Sequence, residues 1–192
     1  MAGRQAKILS AEQIESLLAY AAATRHPSRN RVIVLLSVKA GLRASEIASV
    51  TWDMVVDPTG AVGSTLELRD QAAKNKSGRT IPLHPDLRAA LIAWRDRTGA
   101  VVGPIIASER GTRMMAMSIV NWFAGAFRTA GLEGCSSHSG RRTFITRAAR
   151  VVHQAGGSLR DVQLLAGHRS IQMTQRYIDG DTDAQRKLVS LI

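Results

Sequence analysis

The chain has 192 residues, 45% of them hydrophobic, enough for one domain with its own core. No apolar run approaches the roughly 18 residues of a membrane span, and the opening Met1-Ala2-Gly3-Arg4-Gln5-Ala6-Lys7 is polar rather than a secretion signal. The expectation is a cytoplasmic protein without a membrane partner. Lys and Arg number 26 against 15 Asp and Glu, a net charge of +11 that points to a polyanionic partner, nucleic acid first. A basic surface serving solubility alone, or one meeting anionic lipid, stays open on charge. Aromatic residues make up only 4%, which gives little support to base stacking and favours duplex DNA held through its phosphates. The single Cys135 excludes an internal disulfide and disfavours a structural zinc site of the usual kind.

In chain order, Ser10-Ala11-Glu12-Gln13 has capping-box spacing, and Ile14, Leu17, Leu18, Ala21 and Ala22 follow at helical period, predicting a helix over 11–23. Pro27 and Ser28 break it. Val32 to Val38 is almost wholly apolar and stops at Gly41, the pattern of a buried core helix. A short helix over Ser45–Val50 precedes a change of texture, where Asp57-Pro58-Thr59-Gly60 and Asn75-Lys76-Ser77-Gly78 are turn signals flanking strands at Thr65–Arg69 and Arg79–Leu83. From Pro85 the helical signals return. Leu87, Leu91 and Trp94 share a face, then come Met117–Ala130, Arg141–Val152, Ser158–Ala166 closed by Gly167, Ser170–Tyr177, and an amphipathic piece over Asp183–Leu191. The expected class is α+β, mainly α-helical, with a small antiparallel β-sheet or hairpin near residues 53–83. One domain is expected over 1–192, with a basic lead at 1–9 and a C-terminal tail at 178–192.

Four stretches carry chemistry. In Cys135-Ser136-Ser137-His138-Ser139-Gly140-Arg141-Arg142, His138 and Arg141 at i and i+3 on an opening helix share a face. That location suits a phosphate, since a helix N-terminus offers free N–H groups; two surface residues without a shared job is the plainer reading. Leu164-Leu165-Ala166-Gly167-His168 is followed nine positions later by Tyr177, so a sharp turn at glycine and a short helix can return the tyrosine toward the histidine. A half-buried packing tyrosine is the bland alternative. Lys39-Ala40-Gly41-Leu42-Arg43-Ala44-Ser45-Glu46 places an arginine just before a new helix. Ala73-Lys74-Asn75-Lys76-Ser77-Gly78-Arg79-Thr80-Ile81-Pro82-Leu83 is a basic hairpin, otherwise read as a solvated charged turn.

In identity, order and spacing these stretches resemble the tyrosine recombinase (phage integrase) family over nearly the whole chain. The segment Gly41-Leu42-Arg43-Ala44-Ser45-Glu46 is similar to the one that bears the family's first arginine. Lys74, eight positions before Pro82-Leu83, stands where the family's hairpin lysine stands, and His138 and Arg141 match its His-x-x-Arg box. Leu165-Ala166-Gly167-His168 and Tyr177 match its second histidine and its nucleophile. Gly140 departs from the leucine usual before the box arginine, and Asp179 from a histidine often found after the tyrosine.

The resemblance implies a tyrosine recombinase catalytic-domain fold and site-specific DNA recombination through a covalent 3′-phosphotyrosyl intermediate, with no metal and no nucleotide cofactor. By implication Arg43 and Arg141 hold the non-bridging phosphate oxygens, and His138 and His168 hydrogen-bond the phosphate and shuttle the phenolic proton. Lys74 protonates the departing 5′ oxygen and Tyr177 attacks. Several of Lys76, Arg79, Arg110, Arg113, Arg142 and Arg147, with Arg150, are expected to contact backbone phosphates rather than bases. Double-stranded DNA and a homo-tetramer on it are the implied partners, with tails exchanged between protomers or packed on their own domain. Most family members carry an upstream core-binding domain that completes a DNA clamp. This chain resembles the catalytic part alone, so a partner protein, a short fimbrial-switch-like form or a truncated remnant are the readings. Competing activities are DNA relaxation of the type IB topoisomerase kind, disfavoured by the short apolar tail and the Gly-Leu-Arg-x-Ser-Glu segment, and a non-catalytic DNA-binding regulator.

Overall fold

The computed structural model describes residues 6–73, 77–177, 186, 189 and 190. Helix α1 (Ala11–Ala22) starts at Ser10, whose hydroxyl accepts from the Gln13 N–H (3.2 Å) while the Gln13 side chain accepts from the Ser10 N–H (3.0 Å). It buries Ile14, Leu17 and Ala21. Helix α2 (Pro27–Lys39) begins on a proline whose missing N–H costs nothing at that position. It is the centre of the domain: Val32, Ile33, Val34, Leu35 and Leu36 are all buried, and α1, α4 (Pro85–Thr98) and α6 (Ser139–Val151) pack around it. A helix apolar on all sides is stable only in such a position.

The end of α2 is shaped for the site. Gly41 takes a left-handed φ of +64°, and a Cβ there would lie 2.4 Å from the Phe144 ring, so both the turn and the approach of α6 require glycine. Helix α3 (Ala44–Ser49) starts at once, followed by a 3₁₀ turn at Trp52–Met54. Strands β1 (Thr65–Leu68) and β2 (Arg79–Pro82) pair antiparallel, Leu66 opposite Ile81 and Leu68 opposite Arg79, forming the one two-stranded sheet among the described residues. Leu66, Leu68 and Ile81 face the core.

Helices α4 and α5 (Ala116–Thr129) complete the main core. Helix α6 opens at Ser139, two residues before the expected start, and α7 (Leu159–Ala166) is capped by the Ser158–Asp161 pair and closed by Gly167 at φ +62°. Helix α8 (Ile171–Gln175) is shorter than expected, leaving Tyr177 in the turn beyond it. The amphipathic piece expected over 183–191 lies almost wholly outside the described residues, as do Lys74 and Lys76. No helix among the described residues is long and apolar enough to cross a membrane.

A second, smaller apolar cluster of Ile145, Val152, Val162 and Ala166 joins α6 to α7, and the Tyr177 ring packs on it. Buried polar side chains, among them Glu46, Arg141, Gln163, His168 and Thr174, lie on the elements that meet there. The departure at Gly140 has a steric cause. A Cβ on Gly140 would lie 2.2 Å from the Ser37 hydroxyl oxygen, so α2 and α6 approach too closely for a leucine.

Candidate active site

Glu46 is the centre of the polar layer. It sits at the third position of α3, fully buried, and its carboxylate accepts from the Arg43 guanidinium (2.7 Å) and from the Arg43 backbone N–H (3.0 Å). Arg79 adds a two-pronged contact at 3.1 and 3.3 Å, and the Arg141 guanidinium lies 4.0 Å away. A buried carboxylate is tolerated only with such partners. Burial pushes Glu46 up, but the Arg79 hydrogen bonds and charge, with those of Arg43, outweigh it and bring the carboxyl down to about 2. It is ionised at neutral pH.

Arg141 projects from the first turn of α6 into this layer with 2% of its surface exposed. Its guanidinium donates to the Gly41 carbonyl and the Ala166 carbonyl, both at 2.6 Å, and lies 3.2 Å from His168 Nε2. Burial, then the like charge of Arg43, lowers its pKa without discharging it. A guanidinium cannot accept, so His168 Nε2 is the acceptor and the proton resides on Nδ1, which donates to the Thr174 hydroxyl (3.0 Å). The His168 carbonyl accepts from the Gln163 amide (2.9 Å), which fixes the turn after Gly167. Burial first, then the charges of Arg141, Arg43 and Arg79, pull His168 down to about 4, so this imidazole is neutral near pH 7.

Tyr177 stacks on His168, ring centroids 5.2 Å apart and planes 25° off parallel, and the Arg142 guanidinium carbon lies 5.9 Å from the phenol ring centroid. Its backbone carbonyl accepts from the Thr146 hydroxyl (3.1 Å), tying the turn to α6. Tyr177 lines a cavity of about 310 Å³ together with Ala6, His138, Arg141, Arg142, Met173 and Arg176. Of the residues singled out in sequence, Arg43, Arg141, His168 and Tyr177 are thus linked by a chain of contacts through Glu46, and exposed His138 shares the cavity with Arg141 and Tyr177. Lys74 falls outside the described residues. The arrangement can hold an anion between guanidinium groups beside a phenol.

The residues expected on DNA phosphates divide. Arg110 and Arg113 line a separate basic cavity of about 480 Å³ with Arg29. Arg142 lies at the phenol, and exposed Arg147 donates to the Leu9 carbonyl (3.0 Å), tethering the segment before α1. Arg79 differs from these: its side chain is 5% exposed and turned inward onto Glu46 and the Leu165 carbonyl, because β2 presents it on the same side as Ile81. Sequence reasoning gave no task to Glu46, Gln163 or Thr174. The signals were an acid three residues after Arg43 and a hydroxyl three residues before Tyr177.

Residues 7–183 match the model of the phage integrase family. The tyrosine recombinase XerC of Pelobacter propionicus is 27% identical over 152 residues, which cover 78% of this chain and 47% of that protein. This chain therefore spans about half the length of that relative. The structure superposes on that of XerA recombinase with a TM-score of 0.75 at 22% identity, over 100% of this chain and 65% of the other. On a lambda integrase dimer bound to a COC′ core site the TM-score is 0.70 at 23% identity, covering 93% and 49%. With a family match across nearly its whole length and the same fold, the chain belongs to the phage integrase family.

Proposed function

We propose that this chain breaks and rejoins duplex DNA at specific sites, Tyr177 forming a transient 3′-phosphotyrosyl bond. The observation that carries the reading is the contact chain from Arg43 through Glu46 and Arg141 to His168 and Tyr177, opening on a cationic cavity. In this reading a phosphodiester enters the cavity and meets Arg141, with His138 donating from the start of α6, and Arg43, which is outside the cavity lining and paired with Glu46, reaches the second non-bridging oxygen from beside that carboxylate. Arg141 is already oriented by the Gly41 and Ala166 carbonyls, so little reorganisation accompanies binding.

The phenol of Tyr177 is a weak nucleophile while it keeps its proton, and it needs a proton acceptor. The unprotonated Nε2 of His168 is that acceptor once Arg141 turns its donor from it to the phosphate, whose negative charge offsets the guanidinium groups that, after burial, depress it, so its basicity rises as substrate binds. As the Tyr177 oxygen bonds to phosphorus, the bond to the 5′ oxygen breaks. The phenolic proton passes to His168, and a proton from Lys74 goes to the departing 5′ oxygen. The reverse steps rejoin the strand, and the phosphotyrosyl bond retains the energy needed.

The partners belong to the same proposal: double-stranded DNA, other copies of the chain in a tetramer on it, and a protein completing the clamp. Lambda integrase, with the same fold, has been captured as a dimer bound to a core site. Incubation with nicked duplexes drawn from the chain's genetic neighbourhood tests the activity. A covalent protein–DNA band on a denaturing gel is expected, absent for Tyr177→Phe; a band of equal strength in the Phe variant would refute the assignment.

A further inference from the structure

Two consecutive carbonyls at the end of α7 are each held by a guanidinium that also reaches toward Glu46. Ala166 O accepts from Arg141, and Leu165 O accepts from Arg79 Nε at 2.8 Å. The second tie has no role in the reaction as derived above. The two terminal nitrogens of Arg79 donate to the two oxygens of Glu46, one of them also to the Ser77 carbonyl, so one side chain spans three elements: β2, α3 and the α7 turn. The fit is tight, because a Cβ on Gly167 would lie 2.9 Å from an Arg79 terminal nitrogen, and Gly167 is the residue whose left-handed turn presents His168.

We propose that Arg79 is a positioning residue, holding the Arg43–Glu46 side of the phosphate site at a fixed separation from the turn that carries His168. The inference rests on the recombinase reading. A planar fork is required for this geometry, since the acceptors lie on different elements and one ammonium cannot serve the Leu165 carbonyl and both carboxylate oxygens from a single point. With its side chain 5% exposed and its donors turned onto protein oxygens, Arg79 is expected to act on the geometry of the site far more than on DNA affinity.

The test compares wild type, Arg79→Met and Arg79→Lys by single-turnover adduct formation. The substrate is a pool of nicked duplexes with randomised flanks, at a temperature where circular dichroism shows each variant folded. Duplex affinity is measured against salt in parallel. A displacement of about 1 Å in a reacting group can lower a rate on the order of 10²-fold, and that loss is expected for Met at saturating DNA. Lys restores little of it, and the salt dependence of binding stays at the wild-type slope. If Met does not fold, Lys carries the same comparison. A wild-type rate in Met, or full rescue by Lys, overturns the proposal, the latter by reducing Arg79 to a charge. So does a weakened affinity with a shallower salt slope and an unchanged rate, which is the behaviour of a phosphate contact. An inactive wild type on every duplex overturns the recombinase reading itself, and this inference with it.

Discussion

Replacing Glu46 with glutamine keeps the shape of the side chain but removes the one negative charge that, among the described residues, Arg43 and Arg79 contact and Arg141 approaches. Its displacement from 4.5 to about 2 corresponds to about 3 kcal/mol of folded-state stability, at 1.36 kcal/mol per pH unit. Breaking one partner out of a buried ion pair costs about 3–5 kcal/mol, a similar figure. The pH dependence carries the sharper signature. Because the folded-state value is depressed, the contribution is fully present above about 4.5. It is lost as pH falls toward 2, where the unfolded chain takes up a proton that the folded chain refuses. Urea unfolding of wild type and Glu46→Gln between pH 7 and pH 3 should give a gap of about 3 kcal/mol that narrows below pH 4.5. A gap that stays constant to pH 3, or none at pH 7, refutes the assignment of Glu46 as the ionised centre of the site.

His168 gives a second window with the same sign. Its folded-state value of about 4 lies below the ordinary 6.5, so stability declines as pH falls from 6.5 toward 4, and imidazole NMR should find one histidine titrating near 4 that moves upward when duplex DNA is added. At the α2–α6 contact, Gly140→Ala should destabilise by about 1–3 kcal/mol through overpacking on Ser37, as read from thermal unfolding. The Ser37 hydroxyl is buried with no hydrogen-bond partner among the described residues. Ser37→Ala should therefore be neutral or stabilising by about 1 kcal/mol, and should relieve part of the Gly140→Ala cost.

The helices were legible where an apolar period and a start or stop signal coincide, as at Ser10 with Gln13 or at Gly167, because both signals are local. The site was legible as short segments around Arg43, His138 and His168, each a turn or helix start with its own local logic. Its centre was not. Glu46 and Arg79 are 33 positions apart, and nothing in either segment says that they meet. The inward contacts of Arg79 were not read because a basic Asn-Lys-Ser-Gly turn reads as solvated. Yet alternation along β2 carried the contrary signal, with Arg79 and Ile81 inward against Thr80 and Pro82 outward. The early end of α8 was likewise hidden, since the Thr146 tie to the Tyr177 carbonyl that holds the turn is tertiary.

The central claim is that Tyr177 itself becomes joined to DNA. Mass spectrometry of the adduct after nuclease and trypsin digestion tests it directly. The account predicts a nucleotide 3′-phosphate on the peptide running from Tyr177 to Arg186, carried by the tyrosine oxygen. A nucleotide found on any other side chain, or an adduct linked through a 5′ phosphate, would contradict it.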